Sequence, residues 1–504
     1  MGQTTLILMI ITVISKIFGF VRESVMAAYI GAGELKSIYT TAMTIPNVLT
    51  WIVATGIISS YIPIYNRVEN EKGLEEADKF TSNLINIFLI YGLVAFIIVF
   101  IFARPLSKLF SPDLVGEQLE LATNFTRIII FAIFAFLYSS IIRGYLNIKG
   151  NFIDPAITGF ILNIFIVGST ILAAKTENPY VLIIGALIAN IVQYIRYPFV
   201  SKKLGYKHRI FIDFKSPYVK NFMILFVPIM ISSAVDQLSL LIDNSMASAF
   251  FGVASISKIF YAKTMLSFIM GVVTLSVTTV TFPAIAKAGQ NNDIKELKEK
   301  TSSAIVFSML LVIPATLGMM TLSHPIIKIA FERNAFISND TNIVASLLIA
   351  YAPYIIFTSI IKILSNSFYS VGDSKTPVII VLIQQLINIL LNVLLVNFFG
   401  VDGIGYATSI STLLCSVLLV LQFYNKLGKL DSENNIITIL KILLASILMC
   451  ILAKFIFEIL YFNLILSLLF SVTISGIMYL LLIKLMKVDE FEQLYKSLVS
   501  RISK

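Results

Sequence analysis

The chain comprises 504 residues, 58% of them hydrophobic and 13% charged, with a mean hydropathy of +0.90 and a formal net charge of +10. A soluble protein of this length would alternate apolar stripes with charged faces; here apolar runs long enough to cross about 30 Å of hydrocarbon, about 20 residues each, recur along nearly the whole chain. Composition therefore excludes a soluble globular enzyme and predicts an all-α polytopic membrane protein.

The first apolar stretch, 4–30, is too long for a signal-peptide core and no small-residue cleavage site follows it, so it reads as a first transmembrane helix. It carries Lys16, Arg22 and Glu23 in the run Ser15-Lys16-Ile17-Phe18-Gly19-Phe20-Val21-Arg22-Glu23. A mid-bilayer charge costs about 2.5–3.5 kcal/mol on insertion scales, so three in one span predict one wall of a polar, water-accessible interior. Arg22 is the leading candidate for contact with an anionic substrate; the competing reading is a structural ion pair with Glu23. Lys16 and Glu23 lie two turns apart on one stripe and are expected to balance each other in part, leaving Arg22 on a different face.

Thirteen further spans are expected near 37–66, 80–103, 121–146, 153–174, 178–200, 218–249, 254–285, 302–322, 341–369, 376–398, 404–425, 437–457 and 463–486. Pro46 and Gly56 in the second span are the expected bend of the N-terminal half. Arg143, at the end of the fourth span, is a candidate cavity cation and also reads as a residue anchored at lipid headgroups. In the seventh span Asp236 and Asp243 share a stripe, and in the eleventh Gln384, Asn388 and Asn392 do. Such oxygens suit a Na⁺ site or a coupling proton; the alternative is interhelical hydrogen bonding. Cys415 and Cys450 fall within spans as apolar packing residues, and His208 and His324 have no partner in sequence. No nucleotide-binding loop or Cys/His cluster is present, so neither an enzyme nor a resident cofactor is expected, and coupling would come from Na⁺, H⁺ or membrane potential.

Lys and Arg set the expected orientation. With both termini cytoplasmic, the inside connections hold Arg67, Lys72, Lys79, Lys149, the basic segment 201–217, Lys287 to Lys300, Lys375, Lys426 and Lys429, and the tail adds four more cations. The outside connections hold little beyond Lys36, Arg104, Lys108, Lys175, Lys328 and Arg333. The positive charge therefore faces anionic lipid headgroups rather than nucleic acid.

An internal repeat organises the chain. Met26-Ala27 and Gly31 recur as Met246-Ala247 and Gly252; Tyr39 and Met43 as Tyr261 and Met265; Pro63 as Pro283; and the run from Tyr145 to Pro155 is echoed from Phe368 to Pro377. The offset stays near 220 residues, which predicts two six-helix lobes in parallel orientation, as in transporters that bind substrate between halves. The expected organisation is an N-lobe over 1–200, a cytoplasmic basic linker over 201–217, a C-lobe over 218–428, and two further helices with a cytoplasmic tail over 429–504.

The first-span run, followed by Gly31-Ala32-Gly33, Ile45-Pro46-Asn47 and Ile62-Pro63, resembles the N-terminal pattern of the MurJ (MviN) lipid II flippases of the multidrug/oligosaccharidyl-lipid/polysaccharide (MOP) exporter superfamily. Phe331-Glu332-Arg333-Asn334-Ala335-Phe336 is similar to that family's loop between spans nine and ten, and Tyr369-Ser370 with Asp373 to Pro377 to its entry into span eleven. The resemblance implies fourteen helices in a MATE-like fold in the bacterial cytoplasmic membrane. It implies an undecaprenyl-linked anionic lipid as substrate, moved from inner to outer leaflet for peptidoglycan synthesis through a V-shaped cationic cavity, and cell-wall synthesis enzymes as partners. Arg22 and Lys16 match cavity cations of the family, and arginine suits a diphosphate through multidentate, charge-assisted hydrogen bonds.

The chain departs from the family pattern at Ser37, where an acid is common; at Thr50-Trp51, where an arginine pair is common; at Thr55, where glutamate is usual; and at Lys263-Thr264, where an arginine stands one place later. Either Lys263, Lys258 or Arg143 rebuilds the cavity, or the lipid-linked substrate differs. Two alternatives stay open on the residues alone: a flippase for another polyprenyl-linked glycan such as O-antigen or exopolysaccharide, and a MATE-like cation-coupled drug antiporter.

Overall fold

The computed structural model describes residues 2–291, 293–430, 432–460 and 463–492; within these, the side chains of 2–10, 232, 235, 236, 238–240, 269, 272–280 and 432–434 are not described. Among the described residues the chain is helical, without strands. Its first ten helices are α1 (Gly2–Ile30), α2 (Glu34–Lys72), α3 (Leu74–Ile101), α4 (Ala103–Phe110), α5 (Gly116–Ile129), α6 (Ala132–Ile148), α7 (Ile153–Thr176), α8 (Pro179–Val192), α9 (Arg196–Lys203) and α10 (Pro217–Phe251). There follow α11 (Ala254–Gln290), α12 (Ile294–Thr321), α13 (Ser323–Phe331), α14 (Ser338–Tyr351), α15 (Tyr354–Ser370), α16 (Lys375–Phe399), α17 (Asp402–Leu427), α18 (Ser432–Ile459) and α19 (Leu464–Leu485).

Eleven spans among the described residues are long and apolar enough to cross a membrane, with α5–α6, α8–α9 and α14–α15 each forming one broken span. Helices α1, α10 and α11 occupy the places of the other three expected spans; at 29, 35 and 37 residues and about 1.5 Å per residue, each exceeds the hydrocarbon thickness. The chain is a multi-span membrane protein.

The repeat extends into features the sequence pattern did not disclose. Short helices α4 and α13 follow the third and ninth spans, each with a proline in its first turn, Pro105 and Pro325. Breaks fall at equivalent places, after Ile129 and after Tyr351. The paired glycines Gly31 and Gly252 adopt φ of 80° and 81°, a left-handed turn that a side chain disfavours. They end α1 and α10 in the same way.

The chain forms two compact units. The first contains the described residues up to Ser257 together with Arg333–Phe336; the second contains Lys258–Glu332 and the described residues from Ile337 onward.

In the first unit α2 is central, packing against α3, α5, α6 and α10, while α1 lies along α7. Ser15 and Asn163 hydrogen-bond across the α1–α7 crossing, and Phe18 meets Phe160 edge-on at 4.6 Å. In lipid, helix association depends on close packing rather than on water-driven burial, so small residues mark the tight crossings. The segment expected as an inter-lobe linker is strapped to this unit: Asn83 exchanges hydrogen bonds with the Asp213 backbone, and Asn86 donates to the Arg209 and Phe211 carbonyls. Helix α10, expected to open the C-terminal lobe, also packs here, so the compact units divide after Ser257.

Helix α2 runs unbroken through Pro46 and Pro63. Gly56 is where α10 approaches it: a Cβ there would lie 2.7 Å from the Phe226 ring. Gly56→Ala is therefore expected to destabilise the protein by about 1–3 kcal/mol through overpacking. Thermal unfolding of the purified variant checks this, with partial recovery expected on adding Phe226→Leu; a melting temperature equal to wild type would show that the ring yields freely.

In the second unit α12 packs against α15 and α18, α16 against α17, and α18 against α19. Ser467, Ser471 and Ser475 form a buried small-residue stripe along α19, and the Tyr479 hydroxyl donates to the Leu310 carbonyl at 2.7 Å. Asp373, in the turn before α16, accepts from the Thr376 backbone and hydroxyl and from Lys426 Nζ at 2.8 Å. Burial pushes its carboxyl up, but the Lys426 and Thr376 hydrogen bonds outweigh this and hold it down at about 2. The folded value lies below the unfolded one, so the stabilisation is complete above pH about 4 and is lost as pH falls through about 2. Because Lys426 is half exposed, the clasp and cap together contribute about 1 kcal/mol. Asp373→Ala should melt below wild type at pH 7, with the difference vanishing near pH 2; a constant difference across that range would refute the assignment.

Candidate functional site

Two polar features stand in the first unit. The first is built by the turn from α1 into α2. The Arg22 guanidinium donates through Nε and Nη2 to Glu23 Oε1 at 3.0 and 2.6 Å, and Lys36 Nζ donates to Glu23 Oε2 at 2.9 Å. Lys36 is only 1% exposed; its ammonium also lies 2.7 Å from the Met26 sulfur and 5.5 Å from the Tyr39 ring centroid. One carboxylate thus joins two cations, and the triad keeps a net positive charge. Arg22 retains partial exposure, 23% of its side chain.

This corrects two expectations. Lys36, assigned from sequence to an outside connection, is buried in the first turn of α2. Glu23 is balanced by Arg22 and Lys36 instead of by Lys16, which pairs with no carboxylate among the described residues. Lys36 belongs to no stripe of α1, because the α1–α2 turn brings it in from the neighbouring helix. The available signal was a lysine in the first turn of one span facing a mid-span carboxylate of the previous span.

The second feature is a cavity of about 730 Å³ between α2, α6, α7, the α8–α9 break and α10. Helix α2 presents Asn47, Trp51, Thr55 and Ser59 at four-residue spacing, so they share one face. Helix α6 presents Ser140, Arg143 and Asn147, and α10 contributes Gln237. Arg143 is the one charged group among the described lining residues, is exposed, and has no carboxylate partner among the described residues. Thr50 and Thr55 donate their hydroxyls to Pro46 and Trp51 carbonyls of their own helix, so they stay neutral and locally satisfied. The cavity combines hydroxyls, amides, one aromatic plane and one cation, a set suited to a polar ligand carrying an anionic group.

The remaining candidates lie elsewhere. In the second unit Lys258 pairs with Asp340 at 3.6 Å, and Lys263 sits 4.9 Å over the Tyr351 ring. Asn392 donates to Asn388 at 3.3 Å, Asn388 to Thr408, and Gln384 to Thr412, so this stripe joins α16 to α17. Asp243 is buried in the first unit, and the side chain of Asp236 lies outside the described residues. No cluster of three or more His, Cys, Asp or Glu side chains suited to a metal occurs among the described residues.

The family model for lipid II flippase MurJ matches residues 26–475. This chain belongs to the MurJ family. A curated relative from Rickettsia prowazekii (strain Madrid E), "Probable lipid II flippase MurJ", is 31% identical over 456 residues, covering 89% of this chain and 88% of its own. A relative of the same description from Buchnera aphidicola subsp. Baizongia pistaciae is 28% identical over 467 residues, covering 88% of each chain. Among solved structures, a lipid II flippase MurJ in an inward closed conformation aligns with TM-score 0.82 at 28% identity over 98% of this chain and 100% of its own. A MATE multidrug transporter of the MOP superfamily aligns with TM-score 0.68 at 14% identity over 83% of this chain and 96% of its own, a likeness of fold.

Within the MurJ pattern, the departures acquire local explanations. Ser37, in place of an acid, accepts the Ser257 backbone N–H at 3.0 Å, while the Ser257 hydroxyl donates to the Ala32 carbonyl at 2.6 Å. An acceptor is thus kept at the start of α11 without a charge. Thr264 donates to the Phe260 carbonyl of its own helix. Thr50, Trp51 and Thr55 all line the Arg143 cavity, so α2 brings no charge to it and Arg143 on α6 is its one cation among the described lining residues.

Proposed function

We propose that this chain moves lipid II, the undecaprenyl-pyrophosphate-linked peptidoglycan precursor, from the inner to the outer leaflet of the bacterial cytoplasmic membrane by alternating access. Both termini are then cytoplasmic, as the distribution of Lys and Arg favours. The observation that carries the reading is the polar-walled cavity with Arg143 among its lining residues, set among apolar, membrane-length helices of a MurJ-family chain. An isoprenoid tail can remain in hydrocarbon, while a diphosphate and its polar headgroup need hydrogen-bonding walls and positive charge along the way.

In this reading Arg143 contacts the diphosphate, and partly exposed Arg22, with the excess charge of its triad, and Lys16 extend the cationic path. Lys258 and Lys263 are the candidate cations of the second unit. Asp243, Asn388 and Asn392 are candidates for coupling flipping to Na⁺ or H⁺ gradients. The work is transport, requiring no covalent change in the substrate.

The test is complementation of a bacterium depleted of its own lipid II flippase, alongside lipid II flipping by the purified chain in proteoliposomes. Rescue and flipping are expected. Failure of correctly inserted protein in both assays, with movement of another polyprenyl-linked glycan, would replace this substrate.

A further inference from the structure

Trp51 is the chain's single tryptophan. It stands well inside the 39-residue helix α2, and its side chain is 60% exposed on the wall of the Arg143 cavity. Tryptophan in membrane proteins usually anchors a helix end at the headgroup level, with its N–H in the wet layer. Trp51 is placed differently. Asn47 precedes it by one turn on the same face, Thr55 and Ser59 follow, and Ser140 and Asn147 stand among the groups contributed by α6. None of these neighbours is charged, and Arg143 supplies the cavity's one positive group among the described residues.

A flat, electron-rich ring surrounded by neutral donors and acceptors matches a specific ligand chemistry. An indole face is negative and attracts the polarised C–H bonds on one side of a pyranose ring. The ring's equatorial hydroxyls then project sideways, where amides and hydroxyls meet them. Purely anionic or purely apolar ligands use only part of this set: a diphosphate has no use for the aromatic plane, and an isoprenoid none for the amides.

We infer that Trp51 is a stacking platform for a sugar ring of the lipid-linked headgroup, with Arg143 on the attached phosphate, so that this cavity selects glycosylated over bare polyprenyl diphosphates. The assignment rests on the flippase reading and adds a specificity residue to it. Stacking against an aromatic adds enough beyond simple burial that its loss should weaken binding by about tenfold.

Because Trp51 has no fluorescent rival of its type, its emission reports on the site directly. The full-length chain in nanodiscs would be titrated with lipid II and, separately, with undecaprenyl diphosphate. Lipid II should shift and quench the emission saturably, and undecaprenyl diphosphate should not. Displacement of a labelled lipid II then compares variants: Trp51→Phe should stay within about threefold of wild type, Trp51→Ala should lose about tenfold, and both should keep wild-type affinity for undecaprenyl diphosphate. Lipid II binding with unmoved emission, or equal weakening of both lipids in Trp51→Ala, would overturn the stacking role and leave the flippase reading standing. Absence of lipid II binding by wild type would remove both.

Discussion

Glu23→Gln should destabilise the protein by roughly 3–5 kcal/mol, the cost of leaving a buried charge without its partner. Glu23 accepts from Arg22 on one oxygen and from Lys36 on the other, and both its own side chain and that of Lys36 are nearly inaccessible. Glutamine keeps the shape but turns an N–H₂ group toward one of two cations. Arg22, partly exposed, can find water; Lys36, 1% exposed beside the Met26 sulfur and over the Tyr39 ring, cannot. The expected result is a much lower melting temperature or loss of inserted protein. Adding Lys36→Met should recover a large part of the loss, since a neutral Gln–Met pair of similar volume costs less than a lone buried ammonium. If Glu23→Gln melts with wild type, or Lys36→Met brings no recovery, the buried triad is not what stabilises the α1–α2 turn.

The second large effect concerns transport. Arg143→Ala should reduce lipid II flipping at least tenfold and fail to complement, while the melting temperature stays close to wild type. A hydrogen bond to a charged group contributes about 1.5–3 kcal/mol, which is roughly 10- to 150-fold in affinity. Stability should hold because Arg143 is exposed and has no carboxylate partner among the described residues. Arg143→Lys keeps the charge but loses the planar fork, so an intermediate rate is expected. Reconstituted flipping measured beside thermal unfolding separates the two effects; full activity of Arg143→Ala would move the diphosphate contact to another cation.

Much of the architecture can be read without coordinates, for physical reasons that differ by element. Hydrocarbon thickness fixes span length, so spans such as 153–174 and 404–425 correspond closely to α7 and α17. Positive-φ glycines repeat because a tight helix end has one cheap solution, which is why Gly31 and Gly252 were visible as a pair. Helices α4 and α13 were not visible, being eight and nine residues long and too short for periodicity to speak. The placement of α10 with the first unit was equally hidden, since an apolar span carries no label for its neighbour.

The candidate site divides in the same way. Arg22 and Glu23 were legible from the cost of charge in hydrocarbon, and their contact follows from adjacency. Lys36 was not, because a count of loop lysines cannot distinguish a headgroup anchor from a first-turn residue folded inward. Arg143 carried two readings from its position at a span end, and only the packing of α2, α6 and α10 places it on a cavity wall. In sequence Trp51 stands out only as a departure from an arginine; its role depends on the uncharged face it shares with Asn47 and Thr55.

The turn after α1 also bears on biogenesis. Ala335 N–H donates to the Ala28 carbonyl, and a Cβ on Gly31 would meet the Ala335 carbonyl at 2.7 Å. These partners are made roughly 300 residues apart, so at about 5–20 residues per second the ribosome needs on the order of 15–60 s to deliver the second after the first. Until then the opening hairpin must wait in the bilayer with that face uncovered. An N-terminal fragment ending at α10 would never receive this strap, so the carbonyl of Ala28 would lack its Ala335 donor.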